Sequence, residues 1–296
     1  MKFLVAMGEG EVRNSFFTER AIDELKKHGE VVFNNTGNFA LNKEQLMDMI
    51  KDVDVLMSGW STARVDADVL KCSNKLKIHA HTGGSVAPFI SKEEYDQGIV
   101  VLSGNDIYAK SVAEGCLTYT LMALRRAVEY TLATKNGGWR PSPDFNQGLI
   151  GKKVGIVGYG TISKYYIDLL KWFDVDLYVY SKYITDEEIS AIGAKRASIE
   201  EIFSECDVIS LHSALNDENR GMIKAEHLKL IKPAALFVNT ARAALVDEDA
   251  LITELATGRF SAVWLKESCA IISEYNCEIW LETHNDFATC ITTVIV

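Results

Sequence analysis

Apolar residues along this chain alternate between short solid runs and stretches with helical spacing, which is the rhythm of strand–helix–strand units. Residues 3–7 form a solid run, 18–27 follow with helical spacing before Gly29, and 31–33 form the next run. The pattern predicts further helices over 42–50 and 92–97, and strands over 54–57, 76–80 and 99–102, which together describe a parallel sheet flanked by helices. A long helix is predicted over about 108–133, with Val112, Cys116, Tyr119, Ala123, Ala127 and Tyr130 at helical spacing, and it ends at Asn136-Gly137-Gly138. After a loop at 139–143 a second strand–helix series begins at Lys152. Two α/β units are expected, one over 1–103 and one over 104–296.

The second unit opens with the strongest motif. Val154-Gly155-Ile156-Val157 is a buried-strand run that leads into Gly158-Tyr159-Gly160-Thr161-Ile162-Ser163 and then a helical run over 164–173. In a dinucleotide-binding unit the first glycine makes the tight turn and the second lets the backbone approach a pyrophosphate, whose charge sits on the helix N-terminus. Ser163 occupies the third glycine's place. The next strand, 177–180, ends where NAD-binding units carry an acidic residue for the ribose hydroxyls, but Ser181 and Lys182 stand there. A hydroxyl and an ammonium suit a 2′-phosphate, so the sequence leans toward NADP(H) over NAD(H). Lys182 read as a solvated surface lysine is the alternative.

Composition narrows the classes. With 296 residues, 48% hydrophobic and 24% charged, the chain has enough apolar content for two cores and is not generally disordered. A net charge of -10 argues against nonspecific nucleic-acid or anionic-membrane partners. Mean hydropathy is +0.02, and no stretch of about 20 apolar residues suggests a membrane span. Six cysteines without a CxxC pair signal neither a zinc site nor a disulfide framework, so no metal is expected and reduced thiols in a cytoplasmic protein are.

The ordered motifs 148–160, Asp207-Val208-Ile209-Ser210-Leu211-His212-Ser213, Asn219-Arg220-Gly221, Ile231-Lys232-Pro233 and Asn239-Thr240-Ala241-Arg242, with Ser111-Val112-Ala113-Glu114 upstream, resemble the D-isomer-specific 2-hydroxyacid dehydrogenases. The resemblance implies two doubly wound parallel-sheet domains, a flavodoxin-like substrate domain and a Rossmann-type dinucleotide-binding domain, with the site between them. It implies hydride transfer between NAD(P)H and a 2-keto or 2-hydroxy acid, in a homodimer. Cofactor contacts implied are Gly158, Gly160, Thr161, Ile162, Ser181, Lys182, His212, Ser213, Thr240 and Ala241. Arg242 is implied to hold the substrate carboxylate with its planar fork of donors, the alternative being a surface arginine paired with Asp247 or Glu248; the turn Gly83, Gly84 and Ser85 is implied to hold the carboxylate from the other domain, and Trp60 either packs or shapes the pocket.

After about residue 264 the chain departs from the family pattern. The family's catalytic glutamate falls on Ile271 and its nicotinamide-contacting aspartate on Lys266. His284, in Leu281-Glu282-Thr283-His284, is the candidate for the family's histidine, which exchanges a proton with the substrate oxygen; an incidental tail residue is the alternative reading. Half the cysteines lie beyond Gly258, where no further glycine or proline occurs, and a reading frame altered near Val263 is one account of this. Three expectations follow: a dehydrogenase with impaired proton transfer, a non-catalytic NADP(H)-binding sensor or interaction protein, or a truncated pseudoenzyme.

Overall fold

In a computed structural model of the protein, which describes residues 1–142 and 146–257 in full and the backbone of 262–266, 278–282 and 291–294, the apolar runs form strands. Two compact units are present, Met1–Ala109 and Lys110–Val296. The first holds β1 (Lys2–Val5), β2 (Glu30–Phe33), β3 (Val55–Ser58), β4 (Ile78–His81) and β5 (Val100–Ser103). They pair in the order β2-β1-β3-β4-β5, all parallel, which is a flavodoxin-like strand order. Successive strand residues face opposite ways. Leu4 and Leu56 therefore enter one core with Leu46, Ile50 and Val69, while Val5 enters the other with Met7 and Phe17.

The intervening helices start where side chains cap them. Thr18 accepts a hydrogen bond from the Ala21 N–H at the head of Glu19–His28. At Lys43–Met49, Asn42 and Gln45 exchange reciprocal bonds of 2.9 and 3.1 Å, a capping box that satisfies two otherwise orphaned donors.

The second unit holds β6 (Lys153–Val157), β7 (Asp176–Tyr180), β8 (Lys195–Arg196), β9 (Val208–Leu211), β10 (Leu236–Asn239), β11 (Ala262–Lys266), β12 (Glu278–Glu282) and β13 (Ile291–Val294). Among the described residues the order is β13-β12-β11-β10-β9-β6-β7-β8. From β11 to β8 this is the Rossmann-type arrangement, with its reversal of strand order between β6 and β9. Val154, Ile156, Val208, Leu236 and Val238 face one core, and Val157, Ile209, Leu211 and Phe237 face the other.

Two features depart from the sequence expectations. The sheet is not wholly parallel, because β13 runs antiparallel to β12. The helix expected over 108–133 is two helices, Asn105–Leu124 and Ala127–Lys135. Arg126, between them, adopts a left-handed conformation at φ 50°, and the Leu124 carbonyl takes the Gln147 N–H at 2.8 Å. Apolar periodicity continues across the break, and neither glycine nor proline marks it.

Candidate functional site

In the first unit, the parallel strands present their carboxyl ends together, and the turn after β4 carries Gly83, Gly84 and Ser85. Gly83 is packed so tightly that a Cβ there would lie 2.6 Å from His81 Nε2 and 3.0 Å from Trp60 Nε1. Gly84 has room, since its Cβ would meet only Asn105, at 3.5 Å, and Ser85 is exposed. Trp60 belongs to an aromatic trio with Phe16 (5.5 Å between centroids) and Tyr108 (6.0 Å). Burial pushes the Tyr108 phenol up to about 12. Trp60 is thus held by packing on two rings while its indole nitrogen faces the turn.

In the second unit, β6 is followed by Gly158, whose φ of +102° is left-handed. A Cβ there would come within 2.6 Å of the Ser213 nitrogen, so the residue has to be glycine on two counts. Gly160 is different: among the described residues nothing lies within 4 Å of where its Cβ would be. The second glycine leaves open space at the N-terminus of the helix Thr161–Leu170, as a cradle for a ligand's phosphates would. Ser163 is buried and closes the loop on itself, its hydroxyl accepting from the Gly160 N–H at 2.8 Å and donating to the Gly160 carbonyl at 3.0 Å. The first-turn amides of Thr161 and Ile162 have no helical acceptor and point out of the helix end.

The cofactor candidates line up along the carboxyl edge of the sheet. Reading across β10-β9-β6-β7, the strands are followed by Thr240, His212, Gly158 and Ser181. Gly158 N–H donates to the Tyr180 carbonyl (2.8 Å), and His212 N–H donates to the Val157 carbonyl (2.8 Å). The His212 ring bonds Ser210 through Nε2 at 2.9 Å and leaves Nδ1 buried without a partner among the described residues. Burial pushes its pKa down to about 4, so the ring is neutral.

Beyond Ser181 no carboxylate occupies the place of the ribose-binding acid. The Ser181 hydroxyl accepts the Tyr183 N–H at 3.2 Å. Lys182 is exposed, with Glu218 3.8 Å from its ammonium. Between β7 and β8 opens a recess of about 380 Å³ lined by Tyr180, Ser181, Arg196, Ala197, Ser198 and Glu201. Arg196, which the sequence reading did not single out, is tied to Asp186 at 2.7 Å and to the Ile184 carbonyl at 2.8 Å. Its signal in the sequence was only a basic residue on a short edge strand.

Arg242 follows β10 in a turn built by Asn239, whose amide donates to the Arg242 carbonyl (2.9 Å) and whose side-chain oxygen accepts from Ala241 N–H (3.1 Å). Its Nη1 donates to the Ala241 carbonyl at 2.7 Å. Among the described residues it forms no ion pair with Asp247, whose carboxylate instead caps the helix Glu248–Leu255. Thr240 is buried, with Cys116 Sγ 3.2 Å from its hydroxyl. His284 and Ile271 lie outside the described residues.

Residues 117–265 match the family model described as "D-isomer specific 2-hydroxyacid dehydrogenase, NAD binding domain", and residues 12–136 match its "catalytic domain". A D-3-phosphoglycerate dehydrogenase of Methanocaldococcus jannaschii is 34% identical over 83% of this chain, which spans 46% of that protein's length. A hydroxypyruvate reductase of Thermotoga maritima is 31% identical, over 76% of this chain and 72% of its own. Among solved structures, an acyclic imino acid reductase in complex with NADPH and D-arginine superposes with a TM-score of 0.75 at 21% identity, covering 90% of this chain and 82% of that one.

Proposed function

From the premise that the chain belongs to the D-isomer specific 2-hydroxyacid dehydrogenase family, we propose that it passes a hydride between NAD(P)H and a small 2-keto acid. The observation that carries this is the line of Thr240, His212, Gly158 and Ser181 along one sheet edge, with the open Gly160 cradle among them. The nicotinamide coenzyme supplies the hydride when bound. The Thr161 and Ile162 amides would hold the coenzyme's pyrophosphate, with the open position at Gly160 letting it approach and Thr240 and Ala241 lying further along the same row of strand ends.

In the second unit Arg242, with its planar fork of donors, takes the substrate carboxylate bidentately; in the first, the Gly83, Gly84 and Ser85 amides are donors suited to the same group, with Trp60 as an apolar wall. A carboxylate held by paired donors fixes the carbonyl carbon for transfer, a positioning effect of large effective molarity. NADP(H) is preferred over NAD(H): Ser181 and Lys182 favour a 2′-phosphate, and the adjoining recess offers it room. Ile271 in the place of the family's glutamate leaves the proton step weakly supported, with His284 as the residue to take it. Turnover slower by about 10²- to 10⁴-fold than a fully equipped relative follows from loss of a general acid.

Fluorescence titration with NADPH and NADH, followed by glyoxylate, hydroxypyruvate and pyruvate, tests the reading. Tighter NADPH binding, slow coenzyme oxidation, and a fall in kcat/KM of at least about 100-fold in Arg242→Ala are expected. Coenzyme binding with no turnover at high protein concentration would favour a binding protein of the same fold. A Lys182→Asp variant that failed to weaken NADPH relative to NADH would remove the stated preference.

A further inference from the structure

Beneath the Gly83 turn lies a row of buried polar side chains that the reaction above does not use. Ser58 ends β3, His79 and His81 share one face of β4, and Glu94 lies on the helix Lys92–Asp96; all four are at most 2% exposed. Glu94 Oε2 is 2.7 Å from His79 Nδ1, His79 Nε2 is 2.8 Å from Ser58 Oγ, and Ser58 Oγ is 2.9 Å from His81 Nδ1. The other Glu94 oxygen accepts the Ser91 N–H at 3.1 Å. The row ends at His81 Nε2, which is buried, has no hydrogen-bond partner among the described residues, and is the atom that a Cβ on Gly83 would approach to 2.6 Å.

The hydrogens in this row have two consistent arrangements. With Glu94 a carboxylate and both imidazoles neutral, His79 Nδ1–H donates to Glu94, Ser58 O–H donates to His79 Nε2, and His81 Nδ1–H donates to Ser58. His81 Nε2 is then a bare acceptor. Adding one proton at that atom lets each neighbour pass its hydrogen inward: His81 Nδ1 gives to Ser58, Ser58 gives to His79 Nε2, and the charge comes to rest as an imidazolium at His79 against the Glu94 carboxylate. His81 Nε2 is then a donor toward the turn. The two arrangements differ by one proton and by no heavy-atom contact.

We propose that Glu94, His79, Ser58 and His81 form a buried relay that positions the Gly83–Gly84 turn for a 2-keto acid's carboxylate and couples the ligand's arrival to uptake of one proton. The proposal rests on the reading of that turn as the carboxylate's seat. Burial and the neighbouring His79 push the His81 pKa down to about 4, so the His81 ring is uncharged near neutral pH in both arrangements. In the proposal the free protein holds the one with the bare acceptor. A carboxylate over the turn brings the negative charge that draws a donor to Nε2. The groups facing His81 leave the relay as its proton store: Ser58 and Trp60 from β3 and its loop, Phe89 stacked on its ring at 4.3 Å, and Tyr108, a neutral phenol, beside Trp60. His81 acts through Gly83 and is a positioning residue.

Long-range proton–nitrogen NMR on the full chain labelled at histidine reads the tautomers directly. In the free protein at pH 7, His79 and His81 are both expected as the Nδ1–H form, which is the minor form of imidazole in water. With NADPH and saturating oxamate, a 2-keto acid mimic, His79 becomes doubly protonated and His81 becomes Nε2–H. Glu94→Gln, which keeps the shape but not the charge, abolishes that change. It also raises KM for the keto acid about tenfold, with kcat and NADPH affinity within about twofold, and flattens the pH dependence of oxamate binding. Ser58→Ala cuts the row between the two rings, with the same effect on His81 and none on the His79–Glu94 contact. An Nε2–H tautomer of His81 in the free protein overturns the relay. Oxamate that binds while both rings stay unchanged overturns the coupling alone, and oxamate that does not bind overturns the coupling together with the carboxylate reading beneath it.

Discussion

Gly83 has no room for a methyl group, because His81 Nε2 and Trp60 Nε1 occupy the space. Gly83→Ala is therefore expected to push the turn away from both rings and to raise KM for a 2-keto acid at least tenfold while leaving NADPH titration unchanged; steady-state kinetics beside the titration checks it. At His212, burial sets the folded pKa at about 4 against about 6.5 in an unfolded chain. Between those values the unfolded state binds more protons, so stability rises with pH across the window and is lost as pH falls from about 6.5 to about 4, by roughly 3 kcal/mol at most. Urea midpoints at pH 7 and 4.5 are expected to differ less in His212→Asn than in the parent. Of the two histidines of β4, His79 fell in the strand expected over 76–80 and His81 in the glycine loop after it. Two-residue spacing put them on one face, but Glu94 and Ser58 joined them through the parallel register of β3 on β4 and the packing of a helix, which no local pattern encodes.

At the scale of elements, the strand and helix succession was readable because solid runs and helical spacing differ in period, and caps such as Asn42 with Gln45 mark where helices begin. The break at Arg125 and Arg126 was not readable. It is set by Gln147, which reaches back to the Leu124 carbonyl from more than twenty positions along the chain, and by a left-handed arginine where sequence rules look for glycine. Asp247 is the counterpart whose role the sequence made ambiguous: a partner for Arg242 on charge alone, it caps the helix Glu248–Leu255 through the Ala250 N–H at 3.1 Å. Asp247→Ala is expected to cost about 1 kcal/mol, read as a lower urea midpoint. Coenzyme affinity should hold, because the helix keeps Leu251 and Leu255 in the core.

For the whole molecule, two compact units give two places where a ligand can add stability. NADPH at about 100 times its Kd stabilises the state that binds it by about 2.7 kcal/mol. Calorimetry is expected to show that gain in the transition of Lys110–Val296 and not in that of Met1–Ala109. The glycine loop and the Asn239-Thr240-Ala241-Arg242 turn were legible from sequence because each strand end carries its own chemistry. The recess at Arg196 was not, since it is made by two neighbouring strand ends and a helix N-terminus that meet only in the folded sheet.

The hydroxyl of Ser163 has a practical consequence for locating the coenzyme by deuterium exchange. Since it already holds the Gly160 amide at 2.8 Å, that amide should exchange slowly in the protein alone and should gain little protection when NADPH is added. The footprint should begin one residue later, at Thr161 and Ile162. In Ser163→Gly the boundary should move back to Gly160, turning an amide that is silent in the parent into a reporter of pyrophosphate contact.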